Sequence, residues 1–398
     1  MPGIKDRVSI IGMGCTKFGE LWDKSVEDLI VEAVYEAFDD AGVGPDDIQA
    51  AWFGTVYSGL TAVTLAKALK LRYIPITRVE NMCATGTEAL RAAAYAIAAG
   101  IYDIALVVGV EKLKDTGWTG VSSANVVSQS MISSSNTEPD ITAPSMFAML
   151  ANRYFYVYKI SPDEGKRLLA HIVVKNHHNG ALNPKAHFRR EVTIDDVLNS
   201  PIVAWPLGIL DSCGVSDGAA AAILTRSDLA RSFREDPIDI KALAICTGDS
   251  RPTLTTDYDF THVEENFLAA QMAYEEAGIK NPRKEISIAE VHDCFSIHEM
   301  LIYEDLQFSA RGKARIDIES GAFTLDGDLP INTDGGLKSF GHPIGASGLR
   351  MIYEVYKQLQ GKCGPRQIKN PTLGLTHNLG GSIGIGNVAS VCILGRRD

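Results

Sequence analysis

At 398 residues and 43.0 kDa the chain is long enough for two core-forming units or one large α/β assembly. Its composition is that of a globular protein, 45% hydrophobic and 22% charged, with 36 glycines in no periodic pattern. A net charge of −11, with no basic run carrying interleaved aromatics, excludes nucleic acid as the main ligand.

The opening MPGIKDRVSIIGMG places only two basic residues before its apolar run. That run is about five residues long, too short for a signal-peptide core. No segment approaches the roughly 20 apolar residues of a membrane span, so a cytoplasmic protein with no membrane partner is expected. Cys15, Cys83, Cys213, Cys246, Cys294, Cys363 and Cys392 show no paired spacing. Such a set fits reduced thiols better than a disulfide framework or a zinc site.

In chain order, VSIIGMG predicts the first strand, and a helix follows from about Ser25 to Ala41. Val26, Leu29, Ile30, Ala33, Val34 and Ala37 form its apolar face, and Gly42 stands just past its end. AAWFGTV reads as the next strand. The plan then recurs, with IDIKALAIC as a strand, His262 to Ala277 as a helix and ISIAEVHD as a strand. The helix ends match as well, AFDDAGV from Ala37 against AYEEAGI from Ala273, at an offset of 236 residues. Two copies of a βαβ-containing domain are therefore expected. SDGAAAAILT closes the first copy near residue 225, and Asp228–Pro237 is a charged connector. The stretch 112–210, rich in Ser, Asn, Thr and Pro, is too long to be structureless and is expected to cover a site. Within it, Asn176–Arg190 carries His177, His178 and His187. With no carboxylate or cysteine at ligand spacing, the segment reads as a polar surface or binding loop that holds no metal.

Three segments have the wrong composition for structure alone. Asn81-Met82-Cys83-Ala84-Thr85-Gly86 lies between the strand IPITRVE and an alanine-rich helix from about Thr85 to Ala99. A cysteine at a helix start meets unpaired amide N–H groups and the positive dipole end, which lower a thiol pKa and supply oxyanion donors. The plain alternative is a small buried cysteine. Val291-His292-Asp293-Cys294-Phe295-Ser296 falls at a strand end, where open α/β sheets bind ligands, and an extended backbone turns His292 and Cys294 to the same side. A core cysteine and a capping aspartate would also account for it. In GGLKSFGHPIGASG, residues 335–348, five glycines and a proline surround His342 and hold it before a helix. Together the segments supply a thiol nucleophile, a base and a second thiol, the parts of covalent acyl transfer.

These segments, with the C-terminal THNLGGSIGIG, resemble in order and spacing the four active-site loops of thiolases. The HDCF form, in place of the commoner NEAF, resembles the sterol-carrier-protein type of that family. DSCGVSDGAAAAIL is similar to the strand that closes the family's first half. The likeness spans nearly the whole chain. It implies an α/β thiolase fold of two βαβαβαββ halves in five layers, α-β-α-β-α. Residues 1–111 and 211–232 would form the N-terminal half, 112–210 a loop domain inserted in it, and 233–398 the C-terminal half. It also implies a homodimer or a dimer of dimers. One departure stands out: Asn378 occupies the place of the family's usual acid/base cysteine, and the HDCF resemblance hands that role to Cys294.

The resemblance implies CoA-dependent cleavage of a 3-oxoacyl-CoA, or its Claisen reversal, with CoA as substrate and no bound cofactor. Cys83 would carry the acyl group and His342 would activate it. Backbone N–H groups of Cys83 and Gly380 would hold the tetrahedral oxyanion, and His342 with a water on His292 would hold the thioester oxygen. Bacterial relatives of this type include subunits acting on aromatic acyl-CoA, such as benzoylsuccinyl-CoA thiolase. Some work with a small partner that combines an OB fold and a zinc ribbon. A decarboxylating condensing enzyme is the nearest alternative, but an enolate made by loss of CO₂ needs no thiol base. A non-catalytic acyl-CoA or partner-binding scaffold would not need Cys83, Cys294 and His342 together. Gly12-Met13-Gly14 lacks the third glycine of a dinucleotide-binding turn.

Overall fold

The computed structural model describes residues 3–116, 142–249, 258–382 and 386–397. Part of the expected loop domain and residues 383–385 of the GSIGIG run therefore lie outside the described residues. The strands are β1 (Val8–Cys15), β2 (Ala50–Gly54), β3 (Ile76–Val79), β4 (Ile104–Glu111), a small hairpin β5 (Ile202–Ala204) and β6 (Leu207–Gly208), β7 (Gly218–Arg226), β8 (Ile238–Thr247), β9 (Ile288–Glu290), β10 (Leu373–Ser382) and β11 (Gly386–Arg396). The helices that shape the site are α1 (Val26–Ala41), α2 (Val63–Leu69), α3 (Thr85–Ala98), α4 (Ala143–Tyr158), α5 (Pro162–Ala181), α6 (Glu264–Ala277), α7 (Ser296–Asp305), α8 (Gly336–Phe340) and α9 (Ile344–Leu359).

Nine strands run in the order β3-β2-β4-β7-β1-β8-β11-β10-β9. The order reads outward from the β1–β8 join as two inverted copies. β2 is parallel to β4, which is antiparallel to β7, which is antiparallel to β1; β9, β10, β11 and β8 repeat that sequence of directions. At the join only Ser9 and Ile10 pair, with Asp239 and Ile238. The internal repeat seen in the sequence is thus a structural duplication. The C-terminal helix ends correspond too, since Gly42 (φ 70°) ends α1 as Gly278 (φ 81°) ends α6; the starts differ, with a reciprocal Ser25–Asp28 cap on α1 and no side-chain cap on α6.

Alternation of apolar residues along each strand sorts them into layers. Ile11, Phe53, Leu106, Val108 and Ile223 face outward beneath α1 and α2. Their neighbours Ile10, Met13, Val107, Ala222 and Leu224 face inward on α3 and α9, whose other side is covered by Ile238, Ile240 and Leu394 of the second half. Ala242, Leu375, Val391 and Ile393 then pack outward beneath α6, α7 and the inserted helices α4 and α5. The result is five layers, with α3 and α9 in the middle.

One expectation is corrected by α5. The NHHNG portion of Asn176–Arg190 is the end of a helix, not a surface loop, and Asn176, His177 and Asn179 are buried. Its polar side chains find partners inside: Asn176 Nδ2 donates to Asp293 Oδ2 at 2.8 Å and to Glu299 Oε2 at 2.6 Å, and Lys175 pairs with Glu299 at 2.7 Å. Apolar residues on the buried face of α5 end at Val173, and helical turns whose buried face is polar leave no apolar period in the sequence.

Candidate active site

Cys83 lies between β3 and α3, and His342 lies between α8 and α9. The two central helices bring them together because their first turns meet backbone to backbone. A Cβ on Gly86 would lie 2.9 Å from Leu349 N, and one on Gly348 would lie 2.7 Å from Thr87 N. Larger residues at either place would push α3 and α9 apart. This contact explains a glycine in each of the two loops better than turn geometry does.

His342 Nε2 stands 3.3 Å from Cys83 Sγ, and His342 Nδ1 stands 2.7 Å from Ser347 Oγ. The Ser347 hydroxyl donates to Pro343 O at 2.9 Å. Having given its one hydrogen there, it accepts from Nδ1–H, which leaves the lone pair on Nε2 facing the thiol. The ring is therefore oriented as a base. Burial, with the Arg350 charge adding to it, holds His342 down to about 3. Burial pushes the Cys83 thiol up, and Cys213, Glu80 and Glu111 act in the same direction, against the Cys83 N–H turned to its own sulfur. Burial thus opposes the depression of this thiol's pKa expected at the helix start. The resting pair is neutral thiol and neutral imidazole, and the α3 terminus serves charge that develops during attack.

The HDCF segment follows β9. Asp293 caps α8, its Oδ1 accepting from Leu337 N at 2.5 Å and its Oδ2 from Lys338 N at 3.1 Å. It thereby positions the loop that carries His342. The His292 ring stands 5.2 Å from the His342 ring and 5.3 Å from that of His298, and its Nδ1 is buried without a partner among the described residues. Cys294 is 9% exposed, and its Sγ lies 3.7 Å from His298 Nδ1. Donor atoms of Cys83, His292 and His342 lie within 4.8 Å of one another, as do those of His292, Cys294 and His298. Either triad has donors that suit zinc, though neither includes a fourth protein ligand.

The fourth loop enters on β10. A Cβ on Gly380 would fall 2.6 Å from Met82 Cβ and 2.8 Å from Cys83 N, so only glycine lets this strand approach the cysteine backbone. Asn378 is buried and fully occupied: Oδ1 accepts from Thr87 Oγ1 at 3.2 Å, and Nδ2 points at Met351 Sδ at 3.1 Å. All five residues singled out in the sequence, Cys83, His292, Cys294, His342 and Gly380, meet in one place. Residues missed there are Ser347, Asn176, His298 and Phe147, whose ring stacks on Phe295 at 4.6 Å and lies 5.2 Å from His298. Helical spacing from Cys294 to His298 was a readable signal; nothing in the sequence marked Phe147.

The family model described as Thiolase, N-terminal domain, matches residues 8–228, and that described as Thiolase C-terminal domain-like matches 247–396. The chain belongs to the thiolase family. It is 40% identical over 395 residues to the acetyl-CoA acetyltransferase of Methanothermobacter thermautotrophicus, covering 98% of this chain and 99% of that one. It is 32% identical over 385 residues to benzoylsuccinyl-CoA thiolase subunit BbsB of Thauera aromatica, covering 95% and 96%. Among solved structures it is similar to an Ltp2-ChsH2(DUF35) aldolase, with a TM-score of 0.83, 26% identity, and 99% and 98% of the two chains covered. Among the described residues, no helix is long and apolar enough to cross a membrane.

The base geometry of this thiolase gives a direct expectation. Replacing His342 with alanine should slow transfer of an acyl group to Cys83 by at least about 10²-fold, the scale of a lost general base. Rapid-quench mass spectrometry of the acyl adduct measures that step. A variant that acylates at the wild-type rate would reduce His342 to a structural loop residue.

Proposed function

We propose that this thiolase cleaves a 3-oxoacyl-CoA with CoA, or forms one by the reverse Claisen reaction, through an acyl group on Cys83. The observation that carries the reading is the Cys83–His342 contact of 3.3 Å, with a second cysteine, Cys294, across His292. His342 Nε2 takes the thiol proton as the sulfur attacks the 3-keto carbon, and the N–H groups of Cys83 and Gly380 receive the oxyanion. Collapse breaks the C2–C3 bond and expels an enolate, whose oxygen faces His342 and a water on His292. Cys294 gives that enolate its proton. Incoming CoA then gives its own thiol proton to the site and takes the acyl group from Cys83. Each oxyanion donor contributes about 10²–10³ in rate.

Two relatives suggest the finer assignment. One is named as a thiolase subunit, and the solved neighbour is an assembly with a DUF35 chain. We infer that this chain acts as the catalytic subunit of a homodimer or dimer of dimers and binds a small OB-fold and zinc-ribbon partner. An aromatic or dicarboxylic acyl group, such as that of benzoylsuccinyl-CoA, is its substrate. The direct test is a panel of 3-oxoacyl-CoA esters, from acetoacetyl-CoA to benzoylsuccinyl-CoA, assayed with and without the small protein that co-purifies. Thiolysis of an aryl or dicarboxylic ester at least about tenfold better in kcat/KM than acetoacetyl-CoA supports the assignment. A preference for acetoacetyl-CoA without any partner returns it to a simple acetyltransferase. Release of CO₂ from a malonyl thioester, with no thiolysis, would identify a decarboxylating condensing enzyme.

A further inference from the structure

The proposed reaction gives Cys294 a proton to donate and, in reverse, a proton to remove, but a buried thiol makes a poor base until its own proton leaves. Burial pushes the Cys294 thiol up, and Cys213, Cys83 and Asp293 act in the same direction. The structure places an acceptor beside it. His298 lies in the first turns of α7, four residues after Cys294, with Nδ1 3.7 Å from the sulfur. Its ring is wholly buried, beneath Phe147 of α4. We propose that His298 is the proton partner of Cys294, forming a second cysteine–histidine pair that carries the enolate half of the reaction as Cys83–His342 carries the acyl half.

The surrounding hydrogen bonds orient the rings for this. Asn266 Nδ2 donates to Asp305 Oδ2 at 3.0 Å, which turns Asn266 Oδ1 towards His377 Nε2 at 2.8 Å. His377 thus carries its hydrogen on Nε2 and a lone pair on Nδ1. To accept the thiol proton, His298 carries its lone pair on Nδ1 and its hydrogen on Nε2. His298 Nε2 and His377 Nδ1 are both buried without a partner among the described residues, and the ring centroids are 6.3 Å apart. A hydrogen on His298 Nε2 and a lone pair on His377 Nδ1 set no two like groups against each other, so the neighbouring ring is compatible with the tautomer that the proposal needs.

The groups around the pair are few. His292 and Asp293 come from its own segment, His377 from β10, Cys83 from the loop before α3, Cys213 from the loop before β7, and Lys338 from α8. Further along α7, Glu299 is occupied by Lys175 of α5, Glu304 by Tyr154 of α4, and Asp305 by Asn266 of α6. Burial, with His377 adding to it, holds His298 low, while the backbone carbonyl of His292 favours its protonated form. The pair therefore rests neutral and separates charge only when substrate arrives.

In the condensation direction the Cys294 S–H bond breaks and the proton forms an N–H bond at His298 Nδ1. The thiolate then removes the α-proton of the acyl-CoA, and that C–H electron pair becomes the enolate. The pair now holds one proton more than at rest, and the sulfur leaving the acyl group at Cys83 needs one. Turnover balances when the proton passes across. In thiolysis the steps run backwards.

The proposal rests on the role given to Cys294, and the test separates the two. Exchange of the acetyl-CoA α-proton with D₂O reports the enolate step; acylation of Cys83 by acetyl-CoA reports the other half. His298→Gln is expected to slow exchange at least about 10²-fold while acylation changes less than about threefold. His298→Asn, whose amide cannot take the proton either, should behave alike. If Cys294→Ala abolishes exchange and both His298 variants retain it, His298 is structural and the proposal is overturned; if Cys294→Ala also retains it, the role of Cys294 falls first. A wild-type measurement covers variants that do not fold. With Cys83 acylated, the rate of Cys294 alkylation by iodoacetamide should be nearly flat from about pH 6 to 8.5, because the neutral pair is the reactive form throughout. A rate rising tenfold per pH unit, as for an unassisted thiol, overturns the proposal.

Discussion

Cys83→Ala should remove turnover by a factor on the order of 10⁴ or more, the scale on which a covalent nucleophile is lost. The fold should survive, because the side chain is small and half-buried and its loop is fixed by backbone bonds from Ala84 to Asn81 O and from Thr85 to Met82 O. Intact-mass spectrometry after mixing with an acyl-CoA should show one adduct on the wild-type chain and none on the variant. An adduct of the same mass on Cys83→Ala would move the nucleophile elsewhere, with Cys213 the first candidate. The same experiment has a pH signature. A resting thiolate–imidazolium pair would lose acylation as either group titrates near neutrality. With His342 held at about 3 and the Cys83 thiol raised, both stay neutral well beyond either side of pH 7. The acylation rate should therefore stay level from about pH 5 to 9. A sigmoidal rise centred between them would show that the pair ionises at rest.

Protonation is where sequence and structure part. Local signals were legible because they obey local rules. The α1 apolar face and the glycine at 42 follow from helix periodicity and termination, and the match of AFDDAGV to AYEEAGI between aligned strands disclosed the duplication. The glycines and proline around it pointed to His342, and its place between a strand and a helix start pointed to Cys83. Burial is a property of the assembled layers, however, and burial sets the protonation states. A cysteine before a helix reads as acidified in isolation; in the assembled fold, burial pushes the same thiol up. Asn176 was illegible for a related reason, since its value lies in bridging Asp293 and Glu299, which stand more than a hundred residues away. Asp293 read equally well as a cap, and it is one: its contribution is to hold α8, and through α8 the loop of His342.

Cys294→Ala should divide the reaction into its halves. The variant should still take an acetyl group from acetyl-CoA onto Cys83, because that step needs only His342 and the oxyanion donors. Exchange of the α-proton with D₂O should fall by about 10³-fold or more, since the proposed reaction gives the proton transfer at the α-carbon to Cys294. A thiol titrating near the working pH could both give and take the proton. In the structure, burial keeps Cys294 protonated, which makes it ready to protonate the enolate in thiolysis and dependent on an acceptor in condensation. Asn378 provides the control. It occupies the place of the family's usual second cysteine, but its amide is held between Thr87 Oγ1 and Met351 Sδ and cannot serve as a base. Asn378→Ala should therefore lower exchange by less than about tenfold, through loosened packing between β10 and α3. The outcome that would defeat this division of labour is exchange at the wild-type rate in Cys294→Ala. His292 would then be the group to replace next, because it belongs to both triads, one with each sulfur, and its Nδ1 has no partner among the described residues.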